Sequence, residues 1–282
     1  MTALPALHQP ATARAPIGAM ILAAGRGERM RPLTDVTPKP LLRVRGKPLM
    51  QWQMEGLARA GIAQAVINTG WLGQQISQEF GSDFGLQPSS DGRQSLQNKE
   101  HIALRYSHEE LDFGAALETA GGIARALPLL GDIFWVVAGD VFAPDFTFSQ
   151  SAVDAFAAGG KLAHIWLVPN PEHHPAGDFG LEPFPATEGS SDATRDWAHA
   201  LDLPDTDTRP RYTYSTMGLY RRALFVPPFC RIPEGNPKGE KAPLGPLLRS
   251  AMAQRLVSAQ MYHGRWTDVG TPQRLAQLNA AG

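Results

Sequence analysis

An apolar strand that runs directly into a glycine- and arginine-rich turn constrains this chain more than any other part of its sequence. The strand lies at Ala19–Leu22, and Gly25 and Gly27 open the turn that follows. The turn also carries three arginines: Arg26, Arg29 and Arg31. Glycines let the backbone turn tightly and bring N–H groups close to an anion, and arginine side chains add positive charge suited to phosphate oxygens. We therefore expect residues 22–40 to form a phosphate-binding loop at the end of a strand.

The spacing of these glycines excludes two common nucleotide-binding motifs. The dinucleotide fingerprint is G-x-G-x-x-G, whereas here Gly27 is followed by Glu28, Arg29 and Met30. The P-loop ends in Gly-Lys-Ser/Thr, and no such tripeptide follows this turn. A dinucleotide-binding oxidoreductase is therefore excluded.

Apolar, strand-like runs alternate with segments of helical periodicity along the chain, a pattern typical of α/β proteins. The predicted strands are Met20–Ala24, Ala65–Asn68, Ile102–Ser107, Phe134–Ala138, Lys161–Val168 and Tyr212–Tyr220. The predicted helices are Pro48–Ala60, Leu72–Phe80, Thr119–Leu127 and Pro246–Gln254. We predict a Rossmann-like α/β fold, with a mostly parallel central sheet and helices on both of its faces.

Three polar stretches interrupt this pattern. Residues 1–16 are rich in Ala, Pro and Thr, and we expect them to form a disordered extension before a single domain at 17–282. The Ser-, Gln- and Asn-rich segment 87–99 is predicted to be a mobile loop. The segment 186–211, rich in Asp, Thr, Ser and Pro, is predicted to be a polar surface insertion.

Charge and hydropathy restrict the partners of the chain. The formal net charge is −1, with 26 basic and 27 acidic residues, so no long-range positive field attracts nucleic acid. No apolar run approaches the ~20 residues of a membrane-spanning helix. The single cysteine, Cys230, excludes an internal disulfide and suits a reducing compartment. We expect a cytoplasmic protein, a monomer or small homo-oligomer, with no nucleic-acid or membrane partner.

Two aspartates are candidate ligands for a metal ion. Asp140 follows the apolar strand that ends at Ala138, and Gly139 leaves space beside it. Asp268 precedes Thr271, which is itself a suitable N-cap for a helix that begins at the next residue. Mg²⁺ binds one or two carboxylates together with substrate phosphates. Asp140 could instead serve a turn and Asp268 a helix cap, but the neighbouring phosphate-binding loop favours metal binding.

Lys39 is the candidate catalytic cation. Most lysines are solvated surface groups, but this one lies between Pro38 and Pro40, which restrict the backbone on both sides. A lysine held in this way beside an arginine-rich loop suits the stabilisation of charge on a transferring phosphoryl group.

These segments together resemble the sugar-1-phosphate nucleotidylyltransferases. The signature of that family is similar to residues Leu22–Thr34 and Pro38–Pro40. Leu117–Gly122 resembles its nucleobase loop, Val137–Asp140 the segment of its first metal aspartate and Trp266–Thr271 that of its second. The resemblance implies a nucleotide-diphospho-sugar transferase type of fold. It also implies Mg²⁺-dependent transfer of a nucleotidyl group from a nucleoside triphosphate to a sugar-1-phosphate, with release of pyrophosphate.

The resemblance also implies roles for individual residues. Nucleotide binding is expected for Leu22, Ala23, Ala24, Gly25, Arg26, Gly27, Glu28, Arg29, Met30, Glu118, Thr119 and Gly122. Sugar-phosphate binding is expected for Gly139, Asn170, Asp178, Ser215, Thr216 and Lys241. Catalysis is expected for Arg29 and Lys39, and metal binding for Asp140 and Asp268. The long segment before the base loop leaves open whether Glu109 or Glu110 contacts the base, and the strand around Thr216 aligns in two registers.

Two further segments indicate a subgroup of the family. Ile67–Ile76 and Asn170–Phe179 are most similar to uridylyltransferases that join UTP and N-acetylmuramate α-1-phosphate during peptidoglycan recycling. One alternative is an enzyme for glucose- or mannose-1-phosphate that uses UTP, dTTP or GTP. Another alternative is an inactive, nucleotide-sensing regulatory subunit. Such a subunit is expected to lose the lysine or a metal aspartate, and this chain retains all three.

Overall fold

The computed structural model describes residues 17–86, 101–185 and 194–280. The predicted disordered extension at 1–16 and the predicted mobile loop at 87–99 lie outside the described residues, as does 186–193 of the predicted insertion. None of the helices in the described part of the chain combines the length and the apolar content needed to cross a bilayer.

Fourteen strands and seven α-helices are present within the described residues. The strands are β1 (Gly18–Ala23), β2 (Arg43–Val44), β3 (Lys47–Pro48), β4 (Gln64–Thr69), β5 (Asp83–Gly85), β6 (His101–His108), β7 (Ile133–Ala138), β8 (Val141–Phe142), β9 (Ala163–Val168), β10 (Gly180–Pro183), β11 (Ala198–Leu201), β12 (Thr213–Arg221), β13 (Val257–Met261) and β14 (Thr267–Asp268). The helices are α1 (Leu49–Arg59), α2 (Gly73–Phe80), α3 (Glu109–Phe113), α4 (Glu118–Ala126), α5 (Gln150–Ala158), α6 (Leu244–Met252) and α7 (Pro272–Ala280). Short 3-10 turns at Glu28–Met30, Leu33–Asp35 and Lys39–Leu41 follow β1.

Ten of these strands form one sheet in the order β10-β11-β13-β9-β12-β7-β1-β4-β6-β5. The half that contains β7, β1, β4 and β6 is parallel throughout, with Ile21 of β1 opposite Ile67 of β4 and Val137 of β7. In the other half, β12 is antiparallel to both β7 and β9, and β9 is parallel to β13. The predicted α/β fold is confirmed, and the carboxyl ends of β1 and β7 lie side by side.

Apolar side chains cover both faces of the sheet, as the prediction of helices on both faces requires. Ile21 belongs to a buried cluster that includes residues of α1, whereas its neighbour Met20 belongs to a second cluster with residues of α4 and α6. Both side chains are fully buried. A strand with apolar residues on both faces is typical of a parallel sheet between two layers of helices.

A third apolar cluster attaches the loop after β1 to the C-terminal part of the chain. Met30 and Leu49 pack there with Phe142 of β8, Val269 and Leu275 of α7. Burial of such side chains contributes roughly 1.5–3 kcal/mol each. The position of the loop therefore depends on residues more than 200 positions further along the chain.

The predicted insertion at 186–211 needs a correction. Ala198–Leu201 is not on the surface but forms β11 inside the sheet, where Ala198 pairs with Pro183 on one side and Ala259 on the other. Trp197 and Ala200 are buried. The strand is short and is surrounded by polar residues, so its apolar pattern is too brief to predict from the sequence.

The other predicted strands and helices are present with ends that differ by a few residues. The helix predicted to begin after Thr271 is α7, in which the Arg274 backbone N–H lies 3.3 Å from the Thr271 hydroxyl oxygen. The sequence analysis did not predict α3, α5, β5, β10 or β13, nor the two-residue strands β2, β3, β8 and β14.

His164 of β9 is a fully buried histidine in this sheet. Its ring stacks on that of Trp197, with the ring centroids 3.7 Å apart, and its Nδ1 lies 2.9 Å from the hydroxyl oxygen of Ser258. Burial disfavours the charged form and lowers the pKa of His164 to about 3. The folded protein therefore holds this ring neutral at pH values where an exposed histidine is protonated.

We predict that the free energy of unfolding falls as the pH drops from 6.5 towards 3. Over that range the unfolded state binds a proton at His164 and the folded state does not, so the slope from this residue approaches about 1.4 kcal/mol per pH unit. The His164→Gln variant is expected to be less stable at pH 8, because it loses the stacking on Trp197, but to show a shallower acid slope. Urea unfolding at several pH values measures the free energy of unfolding of each variant. The exposed His263→Gln serves as control, and equal slopes for wild type and His164→Gln would contradict the prediction.

Candidate active site

Two cavities open at the carboxyl ends of the parallel strands, and they meet. The larger cavity has a volume of about 590 Å³ and is lined by the loop after β1, by Lys39, by the start of α4 and by the end of β7. The smaller cavity has a volume of about 360 Å³ and is lined by residues of the 170–178 loop, β12 and β14. Three residues line both cavities: Arg29, Asp140 and Thr216. We call the region around these three residues the junction.

The loop after β1 is held in shape by hydrogen bonds to its own backbone. The Thr34 hydroxyl donates to the Gly27 carbonyl oxygen at 2.8 Å, and Arg26 Nη1 donates to the Thr34 carbonyl oxygen at 2.9 Å. Trp71 Nε1 donates to the same oxygen at 2.9 Å, and the Arg26 guanidinium stacks 3.8 Å from the centroid of the Trp71 ring. Arg26 therefore stabilises the loop and lines neither cavity.

The three arginines of this loop differ in their partners. Arg26 and Arg31 each lie near Asp35, with N–O distances of 3.3 Å and 3.2 Å. Among the residues that the structure describes, no carboxylate forms an ion pair with Arg29. The Arg29 side chain is exposed at the junction, so its charge is available to an anion there.

Lys39 lies beneath the loop and points to the junction. Gly27 has φ +67°, and a Cβ on it would lie only 3.2 Å from the Cβ of Lys39, so glycine permits the close packing of the two segments. The Lys39 side chain is 9% exposed. Its Nζ lies 2.5 Å from Asp140 Oδ2 and 3.8 Å from Asp268 Oδ1. A single ammonium group therefore holds both candidate metal ligands.

A short antiparallel ribbon brings Asp268 to Asp140. The ribbon pairs β14 with β8, so that Asp268 lies opposite Val141, and the Val269 N–H donates to the Asp140 carbonyl oxygen at 3.3 Å. Arg274 Nη1 donates to Asp268 Oδ2 at 2.9 Å. The second oxygen of Asp268 thus faces Arg274, while Oδ1 faces Lys39.

The chemistry of this donor set fits Mg²⁺. No group of three or more His, Cys, Asp and Glu residues in the described ranges is placed to hold a metal ion. A closed zinc site needs about four such ligands, whereas Mg²⁺ binds one or two carboxylates and takes its other ligands from substrate phosphates and water. Asp140 and Asp268 meet the second requirement.

A buried carboxylate forms one wall of the larger cavity. Glu109 accepts hydrogen bonds from the Leu117 N–H and from Asn68 Nδ2, both at 2.7 Å, and Asn68 Oδ1 accepts one from the Ala23 N–H at 2.9 Å. Burial raises the pKa of Glu109, and these hydrogen bonds oppose the rise. Of the two glutamates that the sequence left open, Glu109 lines the larger cavity with Glu118 and Thr119, whereas Glu110 lines a different cavity.

The start of α4 completes this wall. Glu118, at φ +60°, and Thr119 line the larger cavity. The N–H groups of Ala120 and Gly121 donate to the Ala242 carbonyl oxygen, so the segment before α6 holds the helix start in place. Lys241 lies in that segment and lines neither cavity, and the structure does not bring it to the junction.

Two residues expected to contact the sugar form hydrogen bonds with nearby backbone groups. Asn170 Nδ2 donates to the carbonyl oxygens of Pro175 at 3.1 Å and Arg211 at 2.9 Å. Asp178 Oδ2 accepts from the Tyr214 N–H at 2.8 Å. Neither side chain lines either of the two cavities, because both are directed to these backbone groups. The residues of this loop that line the smaller cavity are His173 and His174, which the sequence analysis did not assign to the site.

A β-bulge decides the register of β12. The pairing with β9 shifts between Tyr214 and Gly218. Ser215 is fully buried, and its hydroxyl donates to the Trp166 carbonyl oxygen at 2.7 Å. Thr216, at φ +62°, lines both cavities. Of the two registers that the sequence allowed, the structure places Thr216 at the junction and Ser215 in the core.

Most predicted site residues line the cavities. The larger cavity contains Leu22, Ala23, Ala24, Gly25, Gly27, Glu28, Arg29, Met30, Lys39, Glu118, Thr119, Asp140 and Thr216, and the smaller one adds Asp268. The predicted residues that line neither cavity are Arg26, Gly122, Gly139, Asn170, Asp178, Ser215 and Lys241. The lining residues that the sequence analysis did not assign to the site are Pro40, Asn68, Ala116, Ala138, Val141, His173, His174, Thr213, Tyr214, Trp266 and Gly270.

Known proteins are similar to this chain in sequence or in fold. A model of the nucleotidyl transferase family matches residues 18–281. The N-acetylmuramate alpha-1-phosphate uridylyltransferase of Neisseria meningitidis serogroup B is 42% identical over 270 residues, which cover 93% of this chain and 96% of that protein. A UDP-glucose pyrophosphorylase complexed with UDP-glucose superposes with a TM-score of 0.66 at 15% identity, and covers 94% of this chain and 97% of its own. A UTP-bound UGPase from Acinetobacter baumannii has a TM-score of 0.65 at 14% identity, with coverages of 94% and 92%. At these identities the two structures show the fold alone.

We predict that Gly122→Ala destabilises the protein, although alanine normally stabilises the interior of a helix by roughly 0.5–1 kcal/mol relative to glycine. A Cβ at position 122 in α4 would lie 2.4 Å from Glu109 Oε1 and 2.9 Å from Asn68 Nδ2, so the wall of the larger cavity must shift. Overpacking of this kind costs about 1–3 kcal/mol. Urea unfolding measures the change.

Gly245→Ala in α6 is the matched control for this prediction. Its Cβ would meet only the flexible end of Arg249, at 3.0 Å, so this variant is expected to be neutral or more stable. A stability gain in Gly122→Ala equal to that of Gly245→Ala would contradict the prediction.

Proposed function

This chain belongs to the nucleotidyl transferase family, and from that premise we propose that it transfers the uridylyl group of UTP to N-acetylmuramate α-1-phosphate and releases pyrophosphate. The products are UDP-N-acetylmuramate and pyrophosphate. The observation that carries the proposal is the convergence of Lys39, Asp140 and Asp268 at the junction of two cavities. The identity of the acceptor is supported by the 42% identity with the Neisseria enzyme over almost the whole chain.

The two cavities accommodate the two substrates of this reaction. UTP occupies the larger cavity, and the sugar-1-phosphate occupies the smaller one, so that their phosphates meet at the junction. An oxygen of the sugar phosphate attacks the α-phosphorus of UTP in line and forms the new P–O bond. The bond from the α-phosphorus to the bridging oxygen breaks, and its electron pair leaves with pyrophosphate. The protein forms no covalent bond, so positioning and electrostatic stabilisation account for the catalysis.

Arg29 and Lys39 supply fixed positive charge to this step. Arg29 lines both cavities, and it is the loop arginine whose charge no described carboxylate pairs with. Lys39 is held by two aspartates and by the packing of Gly27, which fixes its direction before substrate binds. Charges fixed in advance stabilise developing charge without reorganisation during the reaction.

Asp140 and Asp268 are the proposed ligands of Mg²⁺. When bound, Mg²⁺ neutralises the charge on the phosphate oxygens of both substrates. The contact between Arg274 and Asp268 Oδ2 directs Oδ1 to the junction. The β8–β14 ribbon fixes the backbone of both aspartates, so the two carboxylates are preorganised.

The wall formed by Glu109, Glu118 and Thr119 is the proposed site for the base. Glu109 provides a buried acceptor on this wall, which complements the N3–H donor of uracil. Asn68 and the Leu117 N–H orient its carboxylate. In this proposal Gly122 does not contact the base but leaves space for Glu109.

The experiment that tests this function measures pyrophosphate release with Mg²⁺. A matrix of four nucleoside triphosphates against the α-1-phosphates of N-acetylmuramate, N-acetylglucosamine, glucose and mannose covers the alternatives. We expect the highest kcat/KM for UTP with N-acetylmuramate α-1-phosphate. A preference for any other pair would overturn the assigned substrates, and no pyrophosphate from any pair would favour the regulatory alternative.

We predict that Arg29→Ala lowers kcat/KM about a hundredfold or more, whereas Arg31→Ala changes it only slightly. Loss of one preorganised donor to a developing charge costs about 10²–10³ in rate. Arg31 belongs to the same loop, but it is exposed and paired with Asp35, so it is a matched control for loss of loop charge. Pyrophosphate release under steady-state conditions measures both variants. Equal losses in the two variants would show that only the net charge of the loop matters and would contradict the role of Arg29.

A further inference from the structure

The smaller cavity combines residues of the junction with residues that line it alone. Arg29 and Asp140 also line the larger cavity, and Asp268 lies close to Lys39. His174 and Tyr214 line the smaller cavity but not the larger one. A sugar-1-phosphate whose phosphate lies at the junction therefore has its sugar among the residues of the smaller cavity, which include His174.

The 170–178 loop presents its two histidines from a rigid frame. Asn170 binds backbone carbonyls at the start of the loop, and Asp178 binds the Tyr214 N–H at its end. The Thr213 hydroxyl donates to Asn170 Oδ1 at 2.9 Å and ties the loop to β12. With both ends fixed, the side chains between them have a defined position. His173 and His174 are the loop residues that line the cavity.

The two histidines have different surroundings. His173 Nε2 lies 2.7 Å from Arg274 Nη1 and 3.5 Å from Asp268 Oδ2, so this ring lies beside a candidate metal ligand. His174 Nε2 lies 3.2 Å from Asp178 Oδ1, and its side chain is 40% exposed. Its Nδ1 has no hydrogen-bond partner among the residues that the structure describes. Because Asp178 holds one nitrogen, the ring can offer the other to a ligand, and both nitrogens are donors in the imidazolium form.

The proposed acceptor carries a group that fits such a donor. N-acetylmuramate differs from N-acetylglucosamine by a lactyl ether at C3, which ends in a carboxylate. C3 is two ring positions away from C1, so the lactyl ether and the phosphate leave the ring at different atoms and can contact different residues of the site. Among the residues that line the smaller cavity, Asp140 and Asp268 would repel a carboxylate, whereas His174 offers a ring nitrogen without a partner in the described residues.

We propose that His174 binds the lactyl carboxylate of the acceptor and is the residue by which the enzyme distinguishes N-acetylmuramate from sugars without a carboxylate. The inference rests on the proposed function. Asp178 orients the ring through Nε2, and the 170–178 loop positions it in the wall of the smaller cavity. Charge-assisted hydrogen bonds to a carboxylate are stronger than neutral ones, so a single donor of this kind supports marked selectivity.

The test compares His174→Ala and His174→Glu with wild type, using two acceptors that differ only in the lactyl group. With UTP and Mg²⁺, kcat and KM are measured for N-acetylmuramate α-1-phosphate. N-acetylglucosamine α-1-phosphate is measured as a substrate or as a competitive inhibitor. Glu172→Ala is the matched control, because Glu172 is exposed in the same loop and lines neither cavity.

We expect His174→Ala to raise KM for the muramate ester about tenfold to a hundredfold, the loss typical of a hydrogen bond to a charged group. The effect on the glucosamine ester is expected to be much smaller, so the ratio between the two acceptors falls at least tenfold. His174→Glu is expected to weaken the muramate ester further through repulsion. Glu172→Ala is expected to leave the ratio within about twofold of wild type.

Equal losses for both acceptors in His174→Ala would overturn the proposal, because they would show a structural role for the ring. Unchanged selectivity would also overturn it. These results are distinct from failure of the proposed function, in which the wild-type enzyme itself would not use the muramate ester but would use another sugar-1-phosphate.

Discussion

The ion pairs of Lys39 with Asp140 and Asp268 are the interaction on which the site depends, because they join three distant segments of the chain. Lys39 follows the loop after β1, Asp140 follows β7, and Asp268 ends β14. An almost buried ammonium group is stable only where carboxylates or other acceptors compensate for its lost hydration. One cation therefore links the positions of three segments: the loop after β1, the β8–β14 ribbon and the start of α7.

Around this centre the polar residues of each motif divide into those that shape a segment and those that face a cavity. Four of these residues form hydrogen bonds with neighbouring groups of the protein: Arg26, Asn170, Asp178 and Ser215. These four residues line neither cavity. The residues near them in sequence, which have fewer internal partners, line the cavities: Arg29, His173, His174 and Thr216. Resemblance to a family motif identifies the segment but does not distinguish these two kinds of residue.

This division explains how much could be predicted from the sequence. Apolar periodicity predicted the strands beside the site, and the position of Asp140 after β7 followed from the order of residues alone. Contacts between residues far apart in the chain, such as Asn68 with Glu109 or Lys39 with Asp140, leave no local signal in the sequence. The bulge in β12 changes the alternation of faces, so the choice between Ser215 and Thr216 required the structure. The strand β11 was missed because its four residues are too few to establish a period within a polar segment.

The charges around the larger cavity explain why a divalent cation is part of the proposed chemistry. Among its lining residues, Arg29 and Lys39 are cations, whereas four carry carboxylates: Glu28, Glu109, Glu118 and Asp140. The side chains that line the larger cavity therefore do not give it a net positive charge, although its proposed ligand is a triphosphate. Lys39 is moreover paired with Asp140, and so only Arg29 offers a charge without a carboxylate partner in the described residues. Backbone N–H groups of the glycine-rich loop supply part of the positive potential that a triphosphate needs. In the proposed mechanism the rest of the positive charge comes from a cation that binds together with the substrate, and the two carboxylates at the junction are its proposed ligands.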